Sequence, residues 1–445
     1  GAGPAPAAAV GSGPEPRALA AGEPLPELAA ERGFTCLSYN VLLPNSQDGW
    51  WIYKYYREDG GAAAWPARQA LLAQQLLGAA ADLVCLQETS ELSFAEDFAF
   101  MADAGYASLM HEKPGRMRPA TFWRAEKWEL VSAQHKDRTL ILALRGREAP
   151  LAGSTLFSVN GHLSAGQQAD RRLRQAHEAV ETVAKEAKKL GLDPSKVPVV
   201  FCGDFNSQGS TGVRELLVRG EVGPDFRESG DPTERGQEGK QLTSKIKRHG
   251  LARFADAVEA VLGAEAPATI LVANIDSKML HNDGTLTEAC VKAVRAAFED
   301  CCPKGSSAMP REDVDRFLLR INRELGRGSE YRHCMAVFER RGEEVLHWED
   351  FLGLYTEELQ AGKFWGVEHD LRTLGDHGLA VPSEGPCQLR FDYAYYTPGP
   401  LRLVGVQRPL TEEQRGRIFG EPWDILPNAW HPSDHLPVAA AFLLQ

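Results

Sequence analysis

The most constraining feature of this sequence is a recurring join: a short apolar run of strand-forming residues stops on a polar side chain that a hydrophobic core has no use for. Leu37-Ser38-Tyr39-Asn40 ends in Asn, Leu83-Val84-Cys85-Leu86-Gln87-Glu88 ends in Glu, and Phe157-Ser158-Val159-Asn160-Gly161-His162 ends in His. Val199-Val200-Phe201-Cys202 runs through Gly203 into Asp204 and Asn206, and Ser433-Asp434-His435 precedes the last apolar run, Leu436 to Leu443. Side chains alternate along a strand, so Asp204 and Asn206, two apart, share one face. Buried strands whose ends are polar describe a sheet with a chemical site along one edge.

Between these runs the period changes to that of a helix. Pro66 to Leu77 carries an apolar stripe, opened by its Pro and stopped by Gly78. Ala169 to Leu190 places Leu173, Ala176, Val180 and Val183 on one face before Gly191. Further strands are expected at Ala120 to Trp123, Leu140 to Leu144 and Cys387 to Tyr396. Interleaved strands and helices predict a layered α/β architecture. A chain of 445 residues exceeds what one core usually covers, and residues 254–374 change character to helices at Leu286 to Phe298, Arg311 to Leu325 and His347 to Leu359. The expected organisation is an Ala/Gly/Pro-rich flexible leader over residues 1–30, a catalytic unit over 31–253 and 375–445, and a helical insertion over 254–374.

No apolar run is long enough for a membrane helix. Lys and Arg total 49 against 61 Asp and Glu, a net charge of −12, which argues against tracking along nucleic acid by the whole surface and for short substrates. Eight cysteines in 445 residues are too sparse for a disulfide framework; they read as buried free thiols of a reducing compartment, and an intracellular location is favoured.

Hydrolysis of a phosphate ester requires neutralised phosphoryl oxygens, an oriented water and stabilisation of the leaving oxygen. Strand-end Glu, Asp, Asn and His can supply all three, although singly a strand-end Asn or Asp is usually a turn former and a lone His an ordinary hydrogen-bonded residue. Taken in order, the motifs resemble those of the endonuclease/exonuclease/phosphatase superfamily, and among its branches the deadenylase, nocturnin and angel proteins. Tyr39-Asn40-Val41-Leu42, Trp65 and Arg68, Leu86-Gln87-Glu88, His162 followed by Asp170, Arg172 and Gln175, Gly203-Asp204-Phe205-Asn206-Ser207, Phe391-Asp392-Tyr393 and the Ser-Asp-His ending carry the likeness over roughly residues 34–250 and 385–445.

The resemblance implies a four-layer α/β sandwich, two packed mixed sheets flanked by helices, and a Mg²⁺ (or Mn²⁺) phosphoesterase. It implies Glu88 as the principal metal ligand, with Asn40 and Asp434 close by. Asp204 would orient or deprotonate the attacking water, Asn206 and His162 would hold phosphoryl oxygens, and Asp392 would orient His435, which stabilises charge as the bond breaks. The expected substrate is a nucleotide or short nucleic acid; other phosphorylated small molecules, a lipid or inositol phosphate, and a non-catalytic Ca²⁺-sensing scaffold are the competing readings.

Two regions depart from the pattern. Lys113, Arg116 and Arg118 form a basic loop that either clamps a second phosphate or is simply solvated. Trp50 and Trp51, in an aromatic run reaching Tyr56, could stack bases or cap a lid. The helical insertion resembles an EF-hand pair, as in plant and algal members of the superfamily, yet its loops are poor Ca²⁺ sites. Taking Gly284 as the loop glycine puts Cys290 at the closing position, and centring on Leu346 leaves Asp350 closing but Arg341 and Glu344 where a ligand and Gly belong. Phe364-Trp365 is expected to anchor the insertion.

Overall fold

The computed structural model describes residues 16–21, 23–25, 33–58, 60–112, 114–228, 239–380, 384–421 and 423–445, and in it the strand-forming runs build two large sheets of a mixed α/β fold. One sheet has seven strands in the order Arg17–Leu19, Leu401–Gln407, Val438–Leu444, Gly33–Asn40, Leu83–Thr89, Arg118–Arg124, Tyr106–Met110. The other has six, ordered Ala255–Asp256, Asp392–Tyr396, Val199–Asp204, Thr155–His162, Thr139–Gly146, Trp128–Lys136.

Side-chain alternation decides how they stack. Phe34, Cys36, Leu83 and Cys85 of the first sheet share one buried cluster with Leu140, Leu142, Val200 and Cys202 of the second. Their neighbours in sequence face outward: Leu37, Tyr39, Val84 and Leu86 pack with Leu72 and Leu76 of the helix Trp65–Ala79. Phe157, Val159, Val199 and Phe201 pack with Leu173, Ala176, Val180 and Val183 of the helix Ala169–Lys189. The stripe read from the sequence is therefore the buried face. A buried polar bridge ties the two sheets together near the site, where Gln87 Nε2 donates to Asn160 Oδ1 at 2.8 Å and Asn160 Nδ2 donates to the carbonyls of Leu86 and Ala120.

Register then aligns the strand ends. Gly33–Asn40 and Leu83–Thr89 run parallel with Asn40 opposite Gln87, and in the second sheet His162, Asp204 and Asp392 are direct neighbours across three strands. That contact is close at Gly203, whose φ is 142° and where a Cβ would come within 1.9 Å of the Gly161 carbonyl oxygen. Only glycine fits there.

Two boundaries differ from the sequence reading. Most of the expected leader lies outside the described residues, but Arg17–Leu19 pairs in parallel with Leu401–Gln407, and Leu19 and Leu25 are buried. A three-residue edge strand is too short to show a period. Residues 255–258 belong with the sheets as well: Ala255–Asp256 pairs with Asp392–Tyr396, and Ala257 and Val258 sit in the inter-sheet core.

A separate apolar cluster begins at Ile275 and ends at Leu374. It is built by the helices Glu288–Cys301, Arg311–Asn322, Gly328–Arg341, Trp348–Gln360 and Phe364–Gly375. Ala308–Pro310, between the first and second of these helices, lies antiparallel to Val345–His347, between the third and fourth, with Met309 opposite Leu346. The partner of the Leu346 loop is thus the segment before Arg311, while Gly284 sits in a separate turn closed by His281 and Thr285. Pro310 hid that strand, because proline lowers strand expectation.

Candidate active site

Asn40, at the end of its strand, donates from Nδ2 to Glu88 Oε1 and to Asp204 Oδ2, each at 3.1 Å, and so links a carboxylate from each sheet. Glu88 also accepts from the Leu43 amide at 3.2 Å. Asp204 is 1% exposed and accepts from the Asn206 backbone at 2.8 Å and from Asn206 Nδ2 at 3.1 Å. His162 donates from Nδ1 to the Met117 carbonyl at 3.2 Å, which turns Nε2 toward the carboxylates, 3.6 Å from Asp204 and 3.8 Å from Glu88. His435 donates from Nδ1 to Asp392 Oδ2 at 2.8 Å and points Nε2 to within 3.9 Å of Asp204. Four non-glycine residues around this point, Leu42, Glu88, Met117 and Asn206, have positive φ between 50° and 65°. Such conformations persist where the surroundings enforce them, and they aim these groups inward.

Electrostatics follow from burial. Desolvation raises the Asp204 carboxyl, with Asp392 adding to the shift and His435 and His162 opposing it. Burial and the charges of Glu88 and Asp204 push Asp434 up to about 6 against the pull of His435. Burial alone would lower His435, but the carboxylates of Asp392, Asp204 and Asp434 outweigh it and raise the imidazole well above its ordinary value. The site is therefore a crowd of acids held by two histidines and two side-chain amides.

Every residue expected at the centre converges, and with them a cavity of ≈ 600 Å³ bordered by Glu88, His162, Asp204, Asn206, Asp434 and His435. Asp204, Asp392 and His435 bring ligand atoms within 4.8 Å of one another, as do Cys36, Cys85 and Cys202 between the sheets; either set has the spacing to hold a metal ion. The basic loop is engaged elsewhere. Arg116 pairs with Asp48 at 3.1 Å and lies over Trp51, Arg118 is buried against Glu91 and the carbonyls of Gly115 and His111, and Lys113 lies outside the described residues. Trp50 and Trp51 pack edge to face with each other, in a cluster with Leu42, Leu43 and Tyr53.

Three supports were not legible as such. Thr269 Oγ1 accepts from the Phe391 and Asp392 amides and so fixes Asp392. Ser433 Oγ donates to the Asn40 carbonyl at 2.7 Å. Arg68, fully buried, donates to the carbonyls of Val41, Leu42, Leu43 and Pro432, stapling the loop after Asn40 to the one before His435. A buried arginine within an apolar helix stripe was the available signal.

The model of the Endonuclease/Exonuclease/phosphatase family matches residues 37–435. The chain belongs to the endonuclease/exonuclease/phosphatase family. Among curated family relatives, the CCR4-Not complex 3'-5'-exoribonuclease subunit Ccr4 of Saccharomyces cerevisiae is 29% identical over 237 residues, covering 43% of this chain and 28% of the relative. The 2',5'-phosphodiesterase 12 of Rattus norvegicus is 27% identical over 215 residues, covering 40% and 34%. This chain spans about a third of the length of such relatives. In fold, it is similar to the crystal structure of ANGEL2, a 2',3'-cyclic phosphatase, at a TM-score of 0.56 and 17% identity over 93% of this chain and 96% of that one. Among the described residues of this family member, no helix is long and apolar enough to cross a membrane.

Proposed function

We propose that the chain is a Mg²⁺- or Mn²⁺-dependent phosphoesterase that hydrolyses a phosphate ester bond in a nucleotide or short oligonucleotide. The observation that carries this reading is the convergence of Asn40, His162, Asn206 and His435 on the buried Asp204, beside Glu88, at one cavity. The names of the yeast and rat relatives, an exoribonuclease subunit and a 2',5'-phosphodiesterase, support a nucleotide phosphodiester as substrate.

Glu88, Asn40 and Asp434 would hold the cation, and their oxygen-only donor set with mutually repelling carboxylates suits a hard divalent ion. When bound, the cation neutralises phosphoryl charge and makes water a better nucleophile. Asp204, its carboxyl raised by burial, takes the proton of the attacking water or orients it. Asn206 and His162, whose Nε2 lies 3.6 Å from Asp204, would hold the phosphoryl oxygens. His435, oriented through Nδ1 by Asp392 and favoured in its protonated form by the carboxylates around it, would stabilise the leaving oxygen.

The wider architecture is read as a four-layer α/β sandwich, with the unit bounded by Ile275 and Leu374 as an EF-hand-like helical pair inserted into it. Its loops do not fit Ca²⁺. Arg341 and Arg340 hold Asp350, the only closing carboxylate of its loop, at 2.9 and 3.3 Å, Asp313 pairs with Arg316, and Arg311 bridges to Glu344. The pairing of Asp350 with two arginines supports a structural role for the unit over Ca²⁺ binding.

The test is turnover of oligoadenylate, dinucleotides, NADP⁺ and phosphomonoesters side by side with Mg²⁺ or Mn²⁺. The expected result is cleavage of a nucleotide substrate that stops on chelation and in Asp204→Ala. Failure to cleave any of them overturns the reading.

A further inference from the structure

The same cavity has a second wall that the hydrolytic groups do not need. It is also bordered by Ala361, Gly362, Lys363, Phe364 and Trp365, from the turn that begins the last helix of the insertion. Both Phe364 and Trp365 are half-buried; Phe364 also packs against the insertion's core, whereas Trp365 lies outside that cluster and borders the cavity. Trp365 stacks on Tyr55 with ring centroids 4.0 Å apart and planes inclined by 20°, and Tyr55 itself borders the cavity. The aromatic pair thus shares one cavity with Glu88 and Asp434. Ile270, Val272, Leu389 and Leu426 continue the apolar lining.

This wall is held firmly. Lys54, 3% exposed, is one residue from Tyr55 and reaches into the insertion, where Nζ meets Glu330 Oε1 at 2.9 Å and Asp370 Oδ1 at 3.1 Å. Tyr53 donates to the Ile321 carbonyl at 2.8 Å, the Arg323 guanidinium lies 3.7 Å above the Tyr53 ring, and Arg372 donates to the Arg57 carbonyl at 2.8 Å. Three helices of the insertion are thus docked on the segment that follows Asn40. A structural anchor alone would need no aromatic surface left facing a cavity, and the volume falls in the range of roughly 300–1,000 Å³ typical of small-ligand sites rather than polymer grooves.

We propose that the helical insertion supplies the base-recognition wall of the catalytic cavity, with Trp365 at its centre, so that the substrate is a small nucleotide whose base packs there while its phosphate lies against Asp204 and His435. The proposal rests on the hydrolytic reading above, and it assigns Trp365 a specificity role without making it part of the chemistry. Aromatic stacking is sequence-tolerant, so the wall selects for a base more than for a particular base.

The discriminating measurement is a ratio: kcat/KM for whichever nucleotide the wild type cleaves, divided by kcat/KM for ribose 5-phosphate or methyl phosphate. Trp365→Leu keeps apolar bulk and removes the ring; the ratio should fall roughly 5- to 150-fold, through KM, as loss of one stacked base does elsewhere. Trp365→Phe should restore most of it, which a purely structural role would not require. A ratio unchanged in Trp365→Leu, or a loss that Phe leaves unrepaired, overturns the assignment. A wild type that cleaves no phosphate ester defeats the hydrolytic reading instead, so the two failures are distinct.

Discussion

Replacing Lys54 by Met tests whether the insertion is fixed by charge. The methionine keeps the apolar stem but removes the ammonium that faces two carboxylates, Glu330 and Asp370, at 2.9 and 3.1 Å. All three groups are buried, Asp370 at 1% exposure. Each attraction amounts to about 5 kcal/mol at an effective dielectric of about 20, largely offset in the wild type by the desolvation of the charges. In the variant the attraction disappears while the desolvation of the buried acids remains, with His369 and Tyr355 still bonded to Asp370. The expected loss is the roughly 3–5 kcal/mol seen when one partner of a buried pair is removed. Urea unfolding followed by tryptophan fluorescence measures it, and hydrogen exchange over residues 275–374 locates it. Adding Asp370→Asn should recover part of the loss, giving a coupling above about 1.5 kcal/mol in a double-mutant cycle. Two single variants that each cost under about 1 kcal/mol and add without coupling would refute the argument, because the ion pair would then be no more than a surface contact.

Glu88→Ala and Asp204→Ala should each lower kcat/KM by at least roughly 100-fold while leaving a folded protein by circular dichroism, since the groups act on charge and protons rather than packing. His431, buried against Tyr39, Gln75 and the His435 carbonyl, has its imidazole pushed down to about 4 by burial. The unfolded chain therefore binds the proton first as pH falls below about 6.5, and stability declines from there to pH 4 by about 3 kcal/mol in total. His431→Gln should flatten that slope in melts from pH 7 to 4.5; an unaltered slope would assign it to other groups. Calorimetry with Ca²⁺ at neutral pH should show no binding heat from the insertion, whereas Asp350 in Arg340→Ala/Arg341→Ala loses both guanidinium partners, keeps its bond from the His347 amide, and should destabilise the second loop.

What the sequence made legible follows from how locally each feature is encoded. Strand ends at Asn40, Glu88, His162 and Asp204 were readable because apolar runs and their polar stops lie within a few residues. Their meeting was readable only through the motif order, since register across three strands is a property of the whole sheet. The supports were hidden for the same reason: Thr269 holds Asp392 across 123 residues, and Ser433 holds Asn40 across 393. A Thr or Ser in a loop carries no local mark of such work. The basic loop misled because charge in sequence does not reveal its partner, and Arg118 found Glu91 rather than open solvent.

The aromatic run Trp50 to Tyr56 shows the same limit from the other side. Its density called for a function, yet Tyr53, Lys54 and Tyr55 divide their roles residue by residue, two reaching into the insertion and one facing the cavity. That division has a physical consequence. Because the ion pair at Lys54 and the stacked ring at Tyr55 are adjacent in a single helical turn, any change that shifts the insertion on Lys54 also shifts Trp365 against the carboxylates. Lys54→Met should therefore weaken nucleotide binding by more than its effect on the base-free substrate, with the stability loss and the selectivity loss appearing together. If selectivity survives in a Lys54 variant whose insertion has measurably loosened, then the wall does not depend on that dock, and the Tyr55 stack with the Tyr53 and Arg57 contacts must hold Trp365 in place.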